Sequence, residues 1–423
     1  MSPVPFRRRA VSQSTLFPAG FEGFSPKHWT SCDPAPAATG PRDSSPGCPT
    51  ADCPPPFPIG QGAPRPGERT LGSAAKLVGI ARLAANSPAA ETQRNSPDRP
   101  EYFLLPVRSI LNRCDSERVP FEWTINPYRG CEFACKYCYA RYTHEFMELD
   151  GGEFEKKIFV KKDAAALLAF DMHKYSYASR SSGGQAPDHI AIGTATDPYQ
   201  PAEREYGVTR ACLEELAKRE GLSVSLITKS NQIVRDIDVF KRIAERSDLS
   251  LNITITTLRT RLARMLEPRA PRPDLRLAAI RQLREAGLQV GVSACPLIPG
   301  LTDREGELET VAEAAKAAGA LWFFTNVLFL MPSSAKQFLP FIREKFPKLA
   351  KQYDEWYSKN GYAPDDYRKK ISQRVKVIRE KYGFVTRPWE EMTRKANSPQ
   401  LSLAWQQSVG AIGSDASAQL AAG

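Results

Sequence analysis

Short apolar runs alternate with longer amphipathic stretches between about residues 121 and 326. Six runs have the length and the β-branched and aromatic content of strands: 121–126, 189–193, 223–228, 249–256, 288–293 and 321–326. Helical periodicity separates them at 203–219, 232–245, 274–286 and 304–318, and a further helix is expected to begin near Tyr137. Gly287 and Gly319 are placed to end two of these helices. The alternation predicts parallel strands joined by right-handed crossovers, and therefore a closed or partly closed α/β barrel.

The segments on either side of this region have a different character. Residues 1–100 are rich in Pro, Gly and Ser and are predicted to be mostly disordered, apart from a short helix over 73–85. A barrel core over 101–330 is followed by a helical extension over 331–397, with patterns at 337–356 and 367–382, and by a flexible tail over 398–423. Three cysteines of the first segment are interpreted as free thiols rather than a second metal site: Cys32, Cys48 and Cys53.

Composition limits the class of protein. The chain has 423 residues, 42% of them hydrophobic, which suffices for a buried core. It contains no run of eighteen apolar residues, so we expect no membrane span, and a cytoplasmic location is the default expectation. Nine cysteines, an odd number, do not describe a disulfide framework. The formal charge of +11 makes nucleic acid a candidate partner without establishing it. The oligomeric state is left open.

Three cysteines directly follow the first predicted strand. Cys131, Cys135 and Cys138 have the spacing C-x3-C-x2-C, and thiolate sulfur suits zinc, Cu(I) and iron–sulfur clusters. Three protein ligands leave one position of a metal centre open, and open positions are where metal sites carry out chemistry. With His144 as a fourth ligand, the same cysteines form a structural Cys3His zinc site. Both interpretations stand on the residues alone.

The cysteine motif, with the aromatic Tyr137 before its last cysteine, resembles the signature of the radical S-adenosylmethionine (SAM) superfamily. The resemblance implies a [4Fe–4S] cluster whose open iron chelates the amino and carboxylate groups of SAM. It also implies that an electron from the cluster splits SAM into methionine and a 5′-deoxyadenosyl radical. The implied fold is a partial (βα)6 TIM-like barrel, and the implied partner is an electron donor of the flavodoxin or ferredoxin type.

Polar residues at the strand ends extend the resemblance to the branch that contains spore photoproduct lyase and "DNA repair photolyase" relatives, over about residues 123–326. By this resemblance Asp197 receives the amino group of SAM and Lys229 pairs with its carboxylate. Thr254 and Thr256 correspond to residues that bind the ribose hydroxyls. Three residues correspond to the adenine side: Tyr137, Ile298 and Gly300.

Each of these positions also has a purely structural interpretation. Asp197 precedes a proline and is suited to start a turn, and Thr254 and Thr256 are ordinary strand residues. Lys229 is equally consistent with a solvated lysine at a strand end. Because the set falls on the ends of successive strands, where barrel sites lie, it points to a cofactor pocket more strongly than any member alone.

The substrate is less well defined. Spore photoproduct lyases use a further cysteine as hydrogen donor, but residues 178–184, where it is expected, contain none. Cys212 falls within a predicted helix, and Cys295, near the barrel mouth, is interpreted as a small buried hydrophobe. Residues 259–276 contain six arginines, which are interpreted either as a phosphate anchor or as a solvated, salt-bridged helix face.

Two functions from different classes therefore remain. The favoured one is a radical SAM enzyme, of lyase or transferase type, that abstracts hydrogen from an unknown substrate, with nucleic acid as the first candidate. The alternative is a non-catalytic nucleic-acid-binding protein stabilised by zinc or an iron–sulfur cluster. Alternation of strands and helices disfavours the alternative, because a Cys3His module needs neither a barrel nor a polar set of strand ends.

Overall fold

The computed structural model describes residues 79–90, 99–114, 119, 121–181, 189–358 and 361–385. Predictions for the first 78 residues, including Cys32, Cys48 and Cys53, and for the tail from 398 lie outside these ranges. The segment 182–188, which belongs to the region without a donor cysteine, lies outside them too. The domain boundaries remain predictions. No helix in the described part of the chain is long and apolar enough to span a bilayer.

The described residues form ten strands in two sheets. They are β1 (Glu101–Leu104), β2 (Leu111–Arg113), β3 (Trp123–Ile125), β4 (Tyr128–Arg129), β5 (Lys157–Val160), β6 (Ile190–Ile192), β7 (Ser223–Thr228), β8 (Asp248–Thr254), β9 (Val290–Ser293) and β10 (Phe323–Phe324).

The described residues also form twelve α-helices. They are α1 (Gly79–Ala85), α2 (Tyr142–Glu145), α3 (Ala164–Ser181), α4 (Glu203–Tyr206), α5 (Val208–Leu216), α6 (Ile237–Ala244), α7 (Thr260–Leu266), α8 (Pro273–Glu285), α9 (Glu307–Ala317), α10 (Pro332–Lys345), α11 (Pro347–Tyr357) and α12 (Asp365–Lys381).

The larger sheet confirms the predicted barrel core. Its strands lie in the order β10-β9-β8-β7-β6-β3-β2. All neighbours from β3 to β10 pair in parallel, and β2 adds an antiparallel edge beside β3. Five of the six predicted runs contain one of the parallel strands, and the run 249–256 overlaps β8, which begins one residue earlier at Asp248. Because β10 and β2 are the two ends of this order, the sheet is a partial barrel, and its strand ends lie along one rim.

The predicted helices are largely present, with local differences. The predicted helix 203–219 is broken into α4 and α5 at Gly207, whose φ is +60°. The helix predicted from 232 begins as a 3-10 helix, Asn231–Asp236, before α6. Gly287 and Gly319 have φ of +84° and +89° directly after α8 and α9, as their predicted capping role requires. The predicted helix 337–356 is two helices, α10 and α11.

A second, three-stranded sheet was not predicted. Its order is β1-β5-β4, with β4 antiparallel to β5. Strands of two to four residues leave too little alternation to be recognised in a sequence. This sheet matters for the site because β4 leads directly into the cysteine loop. The helix expected to begin near Tyr137 is instead a 3-10 turn, Tyr139–Arg141, followed by the single turn of α2.

The interior of the barrel is closed by a tryptophan. Trp322 is only 1% exposed, and its indole Nε1 donates to Asn252 Oδ1 over 3.0 Å. Its ring lies against Gly291, where a Cβ atom would come within 2.2 Å of it. This space is therefore filled by side chain, which leaves the carboxyl ends of the strands as the place for a ligand.

The C-terminal helices cover the cysteine loop. Buried residues of the loop share one hydrophobic cluster, here called the loop cluster, with residues of α10 and α11. Its members include Cys131, Phe133, Cys135, Tyr137, Leu328, Leu330, Phe338, Ile342, Tyr353 and Tyr357. Tyr353 also donates to the carbonyl of Pro299 over 2.7 Å, in the loop after β9. The extension and the barrel rim thus enclose the loop together.

Candidate cluster and cofactor site

The cysteine loop starts from a backbone conformation that only glycine adopts easily. Gly130 has a φ of +84°, and a Cβ atom there would lie 2.6 Å from the carbonyl oxygen of Lys157. The close contact with β5 sets where the chain enters the loop. Cys131 and Cys135 follow at 8% and 7% exposure, and Cys138 is half-buried. All three sulfurs therefore lie in a largely water-excluded loop at the carboxyl end of β3.

The loop after β6 clamps the first turn of the cysteine loop. Gln200 is fully buried; its Nε2 donates to the carbonyl of Gly130 over 3.2 Å, and its Oε1 accepts from the backbone N–H of Glu132 over 3.0 Å. Thr196 adds a 2.6 Å bond to the same Gly130 carbonyl. In return, Glu132 accepts from the backbone N–H of Ala202. Buried polar groups satisfied in this way fix one geometry, because leaving any of them unpaired is costly.

Arg141 holds the far side of the loop. Its side chain is 1% exposed, and Nη2 donates to the carbonyl of Cys135 over 3.2 Å. Nη1 donates to the carbonyl of Gly151 over 2.9 Å and to Glu155 over 2.5 Å. The loop is therefore pinned on both sides of its central cysteine.

Asp197 lies in the loop after β6, and its carboxylate accepts three hydrogen bonds from the protein itself. Oδ1 accepts from the Thr228 hydroxyl over 2.6 Å and from the Tyr199 backbone N–H over 3.0 Å. Oδ2 accepts only the backbone N–H of Lys229, over 2.8 Å, within the described residues. Oδ2 thus keeps a lone pair for one further donor.

Lys229 lies between the cysteine loop and two carboxylates. Its Nζ is 5.8 Å from the centroid of the Tyr137 ring, at cation–π distance. Burial lowers the pKa of Lys229, but Cys135, Glu267 and Asp197 outweigh burial and leave that pKa raised above its usual value. The ammonium is therefore charged and held at the mouth of the cysteine loop.

Glu267 is the centre of a buried network that joins the loop to β8. Its carboxylate accepts from the Tyr137 hydroxyl, from Thr256 Oγ1 over 3.0 Å and from Arg276 Nη2 over 2.5 Å. Glu267 and Arg276 are each 1% exposed. Burial raises the pKa of Glu267, but Arg276 and the neighbouring donors outweigh it, so that pKa is lowered and the group is a carboxylate.

The remaining predicted residues lie along the same rim. Thr254 is 2% exposed, and its backbone carbonyl accepts from Arg276 Nη1 over 2.9 Å. Thr256 is engaged with Glu267, as described above. Ile298 is fully buried in the loop cluster. Gly300 has a φ of +75°, and a Cβ atom there would lie 2.8 Å from Leu349 of α11, so packing under the C-terminal extension accounts for this glycine.

Comparison with known proteins identifies the family. The Radical SAM superfamily matches residues 125–312, the span from β3 into α9. A protein of Mycobacterium tuberculosis, uncharacterised, is 32% identical over 277 residues, which are 65% of this chain and 79% of that protein. This chain belongs to the radical SAM superfamily. An uncharacterised protein of Methanocaldococcus jannaschii is 27% identical over 227 residues, or 54% of this chain and 77% of the relative.

Solved radical SAM structures are similar at lower identity. A single-residue variant of spore photoproduct lyase has a TM-score of 0.49 and 19% identity, over 66% of this chain and 78% of that one. Streptococcus suis SuiB bound to S-adenosylmethionine has a TM-score of 0.33 and 13% identity, over 56% and 45%. Values this low say nothing about a substrate. The cofactors of the superfamily, a [4Fe–4S] cluster and SAM, are those of this chain.

The thiol set suits the radical SAM cluster. Burial is the largest cause of the raised pKa of the Cys131 thiol. The charges of Asp197, Cys135 and Cys138 raise that pKa further, so the three cysteines are close enough to interact electrostatically. Burial also raises the pKa of Cys135 to about 12. Because the thiolate is the form that binds a metal centre, a cluster bound here must displace these protons.

A structural zinc site was the alternative interpretation of these cysteines. Zinc draws its sulfur ligands to about 2.3 Å from a single point, whereas a cubane holds thiolates further apart. His144, the proposed fourth ligand, has its Nε2 3.0 Å from the Lys157 carbonyl and its ring packed on Phe154 and Phe159, while its buried Nδ1 has no hydrogen-bond partner within the described residues. Membership of the radical SAM superfamily, rather than the position of His144, disfavours the zinc alternative.

Sequence reasoning missed the residues that hold this radical SAM site in place. Glu267 and Arg276 were included in an arginine-rich run and interpreted as part of a phosphate anchor or a solvated face. For Arg276 both interpretations are wrong, because its guanidinium is buried against Glu267. Gln200 and Arg141 carried no signal beyond their positions after a strand and after the last cysteine. Their partners are backbone carbonyls and N–H groups, which a sequence pattern does not identify.

Proposed function

We propose that Cys131, Cys135 and Cys138 each ligate one iron of the [4Fe–4S] cluster and leave the fourth iron for SAM. The observation that carries this proposal is the convergence of two buried thiols, Cys131 and Cys135, and the half-buried Cys138 in one doubly clamped loop. When bound, the cluster supplies the electron that cleaves SAM and starts hydrogen abstraction from a substrate.

The rim residues take the SAM roles that their chemistry suits. The charged Lys229 ammonium pairs with the SAM carboxylate, and the open lone pair of Asp197 Oδ2 accepts from the amino group. Thr254, the last residue of β8, bonds the ribose through its hydroxyl. The Thr256 hydroxyl oxygen accepts a hydrogen bond from a ribose hydroxyl while its proton is donated to Glu267. Three residues line the adenine side: Tyr137, Ile298 and Gly300.

Nucleic acid is the proposed substrate class, and hydrogen abstraction by a lyase- or transferase-type enzyme is the proposed reaction. The support is electrostatic. The chain carries a formal charge of +11, and Arg261, Arg264 and Arg269 are exposed and make no ion pair within the described residues. The Arg269 backbone N–H donates to the carbonyl of Phe133, so this patch borders the cysteine loop. A flavodoxin- or ferredoxin-like protein is the proposed electron donor.

Anaerobic reconstitution tests the proposal. We expect one [4Fe–4S] cluster per chain with no zinc, and 5′-deoxyadenosine after reduction in the presence of SAM. Iron and sulfide are measured by chemical assay, zinc by atomic absorption and the nucleoside by chromatography. Stoichiometric zinc, or a cluster with a fourth protein ligand, contradicts the enzyme and supports the alternative of a metal-stabilised binding protein.

A further inference from the structure

A buried carboxylate ties together the cysteine loop and the end of β8. Glu267 follows α7 and is 1% exposed. Its Oε1 accepts both the Tyr137 hydroxyl and Thr256 Oγ1, and its Oε2 accepts from Arg276 over 2.5 Å. A carboxylate removed from water needs such a complete set of hydrogen-bond donors. The same bonds hold the donor side chains in fixed orientations.

We propose that Glu267 is a positioning residue that sets the orientation of the Tyr137 ring and thereby the shape of the SAM-binding face. This inference rests on the proposed function of the site. Tyr137 lies between two of the cysteines, and its ring is the surface on which Lys229 Nζ packs at 5.8 Å. A ring that turned away would therefore displace a cofactor contact and an ammonium together.

Arg276 gives the carboxylate a fixed reference point. Its Nη1 donates to the carbonyl of Thr254 over 2.9 Å, and its Nε donates to the carbonyl of Pro271 over 2.8 Å. The guanidinium is thus bonded to the last residue of β8 and to the turn before α8. Through Arg276 and Glu267, the Tyr137 hydroxyl is held at a defined distance from the strand end that carries Thr254.

The backbone of the same segment supports the loop independently of the carboxylate. The Lys136 N–H donates to the Leu266 carbonyl over 2.9 Å, and the Arg269 N–H donates to the Phe133 carbonyl over 3.3 Å. These bonds flank Cys135 on both sides. Since they do not involve the Glu267 side chain, a change of that side chain should leave the cysteines in place and act mainly on the ring of Tyr137.

Glu267→Gln is the first test. A glutamine side chain has one oxygen acceptor and one NH2 donor in place of two carboxylate oxygens. Either Arg276, or Tyr137 together with Thr256, therefore loses its hydrogen-bond acceptor. We expect iron content unchanged and SAM affinity of the reconstituted, unreduced protein weakened about tenfold, a typical effect of losing a hydrogen bond to a charged group. Equilibrium dialysis with labelled SAM gives the dissociation constant. Glu307→Gln, which removes the carboxylate paired with Arg259 at 2.8 Å, is the control and should leave SAM affinity unchanged.

A double-mutant cycle separates positioning from general destabilisation. Tyr137→Phe removes only the hydroxyl, and we expect it to weaken SAM binding about as much as Glu267→Gln does. In the Tyr137→Phe background, Glu267→Gln should then cost less than about twofold, because the link is already cut. A full additional tenfold loss overturns the proposal, since Glu267 then acts by another route.

A spectroscopic measurement completes the test. The electron paramagnetic resonance spectrum of the reduced cluster should change less on SAM addition in Glu267→Gln than in the parent protein. If Glu267→Gln fails to take up iron, Tyr137→Phe alone decides, and an unchanged SAM affinity in that variant overturns the inference. If the parent protein itself takes up a cluster and binds no SAM, the proposed function fails, which is a different result from a failure of the positioning role.

Discussion

The Thr228 hydroxyl donates to Asp197 Oδ1 over 2.6 Å and joins the last residue of β7 to the loop that follows β6. Asp197 is 8% exposed, and the Tyr199 and Lys229 N–H groups complete its donor set. A residue expected from its position to bind a cofactor amine thus also holds two strand ends together. Both uses are compatible, because the protein leaves one lone pair of Oδ2 open.

Asp197→Asn should lower stability as well as SAM affinity. The amide supplies one acceptor where the carboxylate supplies two, so at least one buried backbone or hydroxyl donor loses its partner, at about 1–3 kcal/mol. A thermal melt under anaerobic conditions measures the loss. Asp238→Asn, at an exposed aspartate paired with Arg210 at 2.7 Å, is the control and should cost less than about 1 kcal/mol. Equal shifts in the two variants would contradict the clamping role.

Cys135→Ala should abolish cluster assembly and SAM cleavage while the barrel still folds. Removing one of three thiolates leaves too few ligands, and the sulfur contributes little to the parallel sheet. Iron and sulfide assays measure the cluster, and far-ultraviolet circular dichroism measures the fold. Cys212→Ala is the matched control, because Cys212 is also buried, at 1% exposure, but lies on α5. Retained SAM cleavage in Cys135→Ala would show that the ligand assignment is wrong.

Gly130→Ala should reduce cluster loading strongly. The substitution forces a side chain into φ +84° and places Cβ 2.6 Å and 2.8 Å from the carbonyl oxygens of Lys157 and Phe154. These backbone oxygens cannot shift at low energetic cost, so the start of the cysteine loop must move instead. Gly207→Ala separates the two effects, since its φ is +60° with no atom within 4 Å, and the left-handed strain alone costs about 1–2 kcal/mol. Normal iron uptake by Gly130→Ala would contradict the proposed fit.

Replacing Arg261, Arg264 and Arg269 together by Gln should weaken nucleic-acid binding and flatten its salt dependence. Each lost phosphate contact reduces the slope of log affinity against log salt by about 0.7–0.9. Filter binding at several salt concentrations measures the slope. Arg272→Gln is the control, because that exposed arginine is already neutralised by Asp274 at 2.8 Å. If the parent protein shows a flat salt dependence, nucleic acid is not held by this surface.

Lys161→Met should remove a pH dependence of stability. Lys161 is 5% exposed with Nζ bonded to the Asn126 carbonyl over 2.7 Å, and burial lowers the pKa of Lys161 to about 7. The unfolded chain keeps the usual higher pKa, so between pH 7 and about 10 it binds more protons than the folded protein, and stability rises with pH there. Chemical unfolding at several pH values measures this, and the free energy of unfolding of the parent should rise with pH relative to that of the variant. A constant difference would mean that Lys161 does not titrate in this range.

The sequence was informative where the signal is local. Six runs such as 223–228 alternate strongly enough to be recognised as strands, and Gly287 and Gly319 follow helical periodicity, so their caps are predictable. The cysteine spacing is likewise a local pattern. The role of Glu267 could not be predicted, because its three hydrogen-bond donors come from separate parts of the chain. The spacing of Tyr137, Thr256 and Arg276 in the sequence gives no indication that they lie close together. The roles of the rim residues toward SAM stay predictions until binding is measured.

The cover of the cysteine loop comes from α10 and α11, which follow every strand of the barrel in the chain. Tyr353 and Tyr357 reach the ribosomal exit tunnel long after Cys138 has left it, so during synthesis the three thiols remain bare until α10 and α11 emerge. Cluster delivery to a nascent chain would thus meet an open loop, and delivery after release a closed one. A stop codon before α11 would leave a barrel whose thiols stay open to oxygen.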